Sequence, residues 1–99
     1  MALNRGESRF LSIEDLNEGQ RWQENILVTG DMVQTFTSLT HDYAPIHADR
    51  GHAINMGYDQ PLVHGFLVGS LYSGILGMFL PGCNTVIQKI VLEMLLPVF

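Results

Sequence analysis

Ninety-nine residues support one domain at most, and a chain of that length buries only about 60–70% of its unfolded surface. Five basic residues against ten acidic ones give a net charge of −5, which argues against a nucleic-acid partner but leaves room for an anionic small molecule met by a few local cations. The single cysteine, Cys83, excludes an internal disulfide and points to a reducing, cytoplasmic compartment, and the polar N-terminus through Ser8-Arg9, with no apolar run behind it, is not a secretory signal.

Residues 1–12 are polar and mixed, and read as an irregular arm ahead of a domain over 13–99. Residues 13–20 form a turn-rich lead-in, and 22–29 (WQENILVT) read as a strand ending in a β-branched cluster. Gly30-Asp31 breaks that strand. Asp31 is the expected N-cap of a helix over 32–40, where Met32, Val33, Phe36 and Leu39 recur at helical spacing. The helix delivers Asp42 just past its end. Asp42 and His47 lie five residues apart with Pro45 between them, which is wrong for one helix face and right for a loop on which both groups converge. Asp49 is positioned to cap a short helical turn from Arg50 to about Ile54.

A long apolar helix is expected over 65–79, stopped by Pro81-Gly82. Its central run, 66–80, is shorter than the roughly 20 residues a membrane span needs. The helix is apolar nearly all round, so it reads as buried, and Gly65, Gly69, Ser73 and Gly77 form a stripe without bulk along which another backbone can approach. Residues 85–95 (TVIQKIVLEML) read as a second strand. Two strands cannot cover such a helix, so further C-terminal strands or a partner chain are expected to complete the sheet.

Asp42 and His47 are the candidate acid–base pair; the alternative is a loop aspartate that caps and a histidine that satisfies a carbonyl. Gly65 is a candidate oxyanion donor, its N–H free at a helix N-terminus, or a glycine kept only for packing. His64 reads as supporting rather than catalytic. Ser73 reads as a small helix residue bonded back to its own turn or as a hydroxyl facing the site, and no G-x-S-x-G elbow surrounds Ser70 or Ser73. His47-Ala48-Asp49 matches half of an iron(II) facial triad, but the third ligand would have to be His52 or His64 on a helical scaffold, so no metal is expected. His41 and His52 read as solvated.

The stretch Leu39-Thr40-His41-Asp42-Tyr43-Ala44-Pro45-Ile46-His47-Ala48-Asp49, followed by Pro61-Leu62-Val63-His64-Gly65-Phe66 and Leu80-Pro81-Gly82, resembles the MaoC-like, (R)-specific enoyl-CoA hydratases. Their motif reads Asp-x-Asn-Pro-Ile/Leu-His-x-Asp, and the resemblance covers about residues 22–99. It implies an α+β hot-dog fold, an antiparallel sheet wrapped round a long central helix, here truncated after the second main strand. It implies hydration of a trans-2-enoyl thioester or the reverse dehydration, a lyase reaction of acyl-CoA and fatty acid metabolism. Asp42 and His47 then correspond to the motif's catalytic pair, Gly65 to the oxyanion N–H, and Ser73 to a supporting position. Ala44 stands where the motif has an asparagine that braces the loop. The substrate carries coenzyme A or acyl carrier protein, no separate cofactor is implied, and the expected assembly is a homodimer or higher homo-oligomer. A hot-dog thioesterase and a non-catalytic acyl-binding module are the alternative readings.

Overall fold

The computed structural model describes residues 8–99, so most of the arm over 1–12 lies outside the described residues. Its regular elements are α1 (Gly30–Thr40), α2 (Arg50–Asn55) and α3 (Gly65–Met78), with 3-10 turns at Ile13–Asp15 and Pro45–His47. No described helix is long and apolar enough to cross a membrane. Two compact units account for the chain: residues 28–68 with 93–99, and residues 8–27 with 69–92.

In the first unit, α1 begins two residues earlier than its apolar periodicity suggests. Thr29, not Asp31, is the N-cap: its backbone is extended (φ −99°, ψ 163°) and its hydroxyl accepts from the Met32 N–H. A hydroxyl there meets one of the orphan donors of the first turn, while Asp31 sits inside that turn, where its charge complements the helix dipole. α1 closes at His41, whose backbone is left-handed (φ 58°) and whose N–H donates to the Thr37 carbonyl. Asp49 caps α2 as expected, its carboxylate accepting from the His52 N–H. Ala53 of α2 is fully buried, and Met32 and Leu67 are its companions in the apolar interior.

In the second unit, Phe79 is 1% exposed and stacks on Trp22, with ring centroids 4.7 Å apart and planes within 2°. Arg9 lies at the C-terminal end of α3: its N–H donates to the Met78 carbonyl (2.7 Å) and its carbonyl accepts from Cys83 (2.8 Å). This meets one of the carbonyls that a helix end leaves without a partner. Gly82 is required where these segments meet. It has φ +108°, and a Cβ there would lie 2.5 Å from the Arg9 carbonyl oxygen. Gly82→Ala is therefore expected to destabilise the protein by about 1–3 kcal/mol, read as a lower urea midpoint, because backbone on both sides must shift.

The two expected strands are not formed among the described residues. Residues 21–28 carry no regular element and alternate in burial, with Trp22, Glu24, Ile26 and Val28 partly covered and Arg21, Gln23, Asn25 and Leu27 exposed. Residues 85–95 are also irregular, and Val86, Val91 and Leu95 are exposed. β-branched residues and alternation make a segment suited to a sheet, but a strand exists only where a neighbour's ladder of hydrogen bonds holds it. The expected all-round burial of α3 fails for the same reason: Leu67 and Gly69 are buried, whereas Phe66, Ser70, Tyr72, Ser73 and Met78 are exposed. Nor does a backbone approach the small-residue stripe at the two glycines where it can be judged. Gly65 faces the Met94 side chain at 3.5–3.7 Å, and Gly77 faces open space.

Candidate active site

The loop after α1 is built by short-range bonds. The Asp42 N–H reaches the Thr40 hydroxyl, and the Ala44 N–H donates to Asp42 Oδ1 at 3.1 Å. That Asx turn fixes one carboxylate oxygen and leaves Oδ2 available. Pro45, with its preset φ, opens the 3-10 turn Pro45–His47. The Ala48 and Asp49 N–H groups both return to the Pro45 carbonyl. Ala44, which lacks the amide expected of the motif, therefore contributes through its backbone: its N–H orients Asp42 and its carbonyl accepts from the His47 N–H.

His47 is held from the other side by the segment leading into α3. Its Nδ1 lies 2.8 Å from the Leu62 carbonyl oxygen, and the Leu62 N–H donates back to the Ile46 carbonyl. A carbonyl oxygen only accepts, so Nδ1 carries the hydrogen and Nε2 is the lone-pair nitrogen of the neutral ring. That Nε2 stands 3.8 Å from Asp42 Oδ2, with the His47 side chain largely covered and the Asp42 side chain 45% exposed. The pair singled out by spacing is thus assembled, at a separation too long for a direct hydrogen bond.

His64 lies beneath the pair. It is 2% exposed and stacks on His47 with centroids 3.9 Å apart and planes 24° from parallel. Phe36 of α1 packs against its ring at 5.0 Å. Its Nε2 is 3.3 Å from both the Thr37 hydroxyl and the Asp42 backbone carbonyl, while Nδ1 is buried without a hydrogen-bond partner. The carbonyl again requires the hydrogen on Nε2, which leaves the orphan nitrogen as an acceptor.

A cavity of about 530 Å³ opens beside these groups. Thr37, Asp42 and His47 are among its polar residues, with Gln34 and Tyr43, and Val33, Leu62, Val63 and Phe99 are among its apolar ones. Ala44 also lines it. Gly65 opens α3, one residue after His64, but is not on the cavity wall, which reaches the chain at Val63. Ser73 is exposed, two turns further along α3. His41 is exposed and tilted against Tyr43, and His52 is exposed on α2.

Asp42, His47 and His64 offer ligand atoms within 4.8 Å of one another. Imidazole lone pairs lie in the ring plane, so two nearly parallel, stacked rings do not converge on one ion. Asp49, the carboxylate of the facial-triad pattern, is engaged in capping α2. Sequence reasoning missed Thr37 and the Leu62 carbonyl. A hydroxyl one turn before the end of the helix that delivers Asp42 was the signal available for Thr37; a backbone carbonyl leaves none.

The MaoC-like domain model matches residues 14–91. The chain is 35% identical over 89 residues to the (R)-specific enoyl-CoA hydratase of Aeromonas caviae, covering 90% of this chain and 66% of that protein. It is 29% identical over 75 residues to a mitochondrial 3-hydroxyacyl-(acyl-carrier-protein) dehydratase of Arabidopsis thaliana, covering 76% of this chain and 45% of the relative. A solved structure described as the (R)-hydratase from A. caviae involved in PHA biosynthesis superposes with a TM-score of 0.63 at 40% identity, over 68% of this chain and 51% of that one. The chain thus spans about half to two thirds of the length of these relatives. Matched over most of its length by the family's model and sharing a third of its residues with a hydratase, the chain belongs to the MaoC-like domain family.

Proposed function

We propose that the chain adds water to a trans-2-enoyl thioester to give the (R)-3-hydroxyacyl product, or runs the reverse dehydration. One observation carries this reading: Asp42 Oδ2 and His47 Nε2 lie 3.8 Å apart on the wall of an apolar-sided cavity. Both atoms are hydrogen-bond acceptors, so a water between them donates to each and turns a lone pair outward. As the water oxygen bonds to Cβ of the enoyl group, His47 Nε2 takes one of its protons and Asp42 steadies the imidazolium. The C=C electron pair moves onto the thioester oxygen as an enolate, and its return delivers the proton from His47 to Cα. Gly65 N–H, at the head of α3, is the donor assigned to that enolate oxygen, which requires the thioester end of the substrate to extend past Val63 of the cavity wall; one such donor is typically worth about 3–4 kcal/mol. Ser73 is assigned a supporting role further along the helix.

The printed activities of the relatives, enoyl-CoA hydratase and 3-hydroxyacyl-(acyl-carrier-protein) dehydratase, support the reaction class. Coenzyme A and acyl carrier protein are both candidate carriers, and no further cofactor enters the scheme. In this reading the segments 22–29 and 85–95 are sheet segments of a hot-dog fold, paired in a homodimer or higher homo-oligomer. The test is an incubation with crotonyl-CoA followed for both enoyl absorbance and free thiol. Loss of enoyl absorbance without thiol release is expected. Thiol release would replace the hydratase by a thioesterase, and binding without turnover would leave an acyl-binding module.

A further inference from the structure

We propose that Thr37 is a positioning residue of this site: its hydroxyl anchors the buried His64 ring in place, and the anchored ring is the platform on which His47 and the Asp42 loop are set. The proposal rests on the hydratase reading for its consequence in turnover, but not for the hydrogen bond itself. His64 Nε2 lies 3.3 Å from the Thr37 hydroxyl and 3.3 Å from the Asp42 carbonyl. One N–H shared between these two oxygens ties the last turn of α1 to the residue that carries the carboxylate. The same ring stacks at 3.9 Å on His47, whose own Nδ1 is held by Leu62. Both members of the pair therefore rest on His64: Asp42 through its backbone and His47 through its ring face.

Among the described residues, the His64 ring has no other hydrogen-bond partner to orient it. It is 2% exposed, and its Nδ1 has no partner. If the ring changed tautomer, a bare nitrogen would face the Asp42 carbonyl, and two acceptors would oppose each other across 3.3 Å; if it flipped, a ring carbon would replace the donor there. The Asp42 carbonyl, which only accepts, sets the tautomer, and the Thr37 hydroxyl, accepting from the same N–H, anchors the ring where it holds the Asp42 loop. Because it accepts from His64, the hydroxyl keeps its own hydrogen, and Thr37 lines the cavity beside Asp42 and His47.

The test compares Thr37→Val, which keeps the branched shape, with Thr37→Ser, which keeps the hydroxyl, in the full chain. Thr37→Val is expected to lower kcat for crotonyl-CoA hydration by roughly three- to tenfold, the size of one neutral hydrogen bond, with KM changed less than twofold. Thr37→Ser is expected to restore it. In ring-nitrogen NMR, His64 is expected as the Nε2–H tautomer with a slowly exchanging proton in the parent and in Thr37→Ser. That proton is expected to exchange faster, with altered nitrogen shifts, in Thr37→Val. Unchanged His64 shifts in Thr37→Val, or a Thr37→Ser variant as impaired as Thr37→Val, would overturn the assignment. A parent chain that turns over no enoyl thioester would instead overturn the hydratase reading, and the NMR comparison would still decide the Thr37–His64 bond.

Discussion

Asp42→Asn and His47→Gln, made separately, are each expected to slow crotonyl-CoA hydration by roughly 10²–10⁴, the usual contribution of a positioned acid–base group. The substitutions are chosen so that chemistry fails before structure does. Asparagine keeps an oxygen to accept from the Ala44 N–H, so the Asx turn survives, but it replaces the acceptor facing His47 or its charge. Glutamine can still donate toward the Leu62 carbonyl that now accepts from His47 Nδ1, but it has no nitrogen that takes a proton. Enoyl absorbance followed at matched protein concentration gives the rate, and circular dichroism checks that the helices persist. Parent-like rates in both variants would refute the water-activating pair.

Phe79→Ala is expected to cost about 3–5 kcal/mol of stability, the usual range for emptying a buried phenylalanine site. Phe79 is 1% exposed and lies flat against Trp22, whose ring also has the Arg9 guanidinium 5.3 Å from its centroid. Alanine removes the stacking partner and leaves a void that Trp22 fills only by moving. Trp22 is the sole tryptophan, so its fluorescence during urea unfolding reports on this cluster directly. A loss of this size is a large part of the 5–15 kcal/mol typical of a folded domain, so the variant is expected to be partly unfolded at physiological temperature. A midpoint shift equivalent to less than about 1 kcal/mol would mean that the stack contributes little to the fold.

The features legible in the amino-acid sequence are those carried by neighbours along the chain. The apolar periodicity of α1, the cap of α2 at Asp49, the proline-centred loop and the start of α3 at Gly65 all depend on residues within about one helical turn. The loop position of Asp42 and His47 followed from Pro45 and a five-residue gap. One cap was misplaced, because Asp31 and Thr29 flank the same glycine and both are good capping residues; the extended backbone at Thr29 decides between them.

The sequence by itself determined which residues to single out, the Asp42 and His47 pair, in a motif that places the chain in its family. Only the tertiary structure decided how those residues are held. His47 meets the Leu62 carbonyl fifteen residues away, and His64 meets Asp42 and Thr37 across twenty-two and twenty-seven. Such contacts depend on the path of the intervening loops, which no local periodicity encodes. The sheet failed to appear among the described residues for the same reason. Strand character at 22–29 and 85–95 is a local suitability, whereas a ladder is a long-range pairing that propensity alone cannot create. The physical difference is one of range: caps and turns close over a few residues, while the His64 platform and any sheet exist only once distant segments have met.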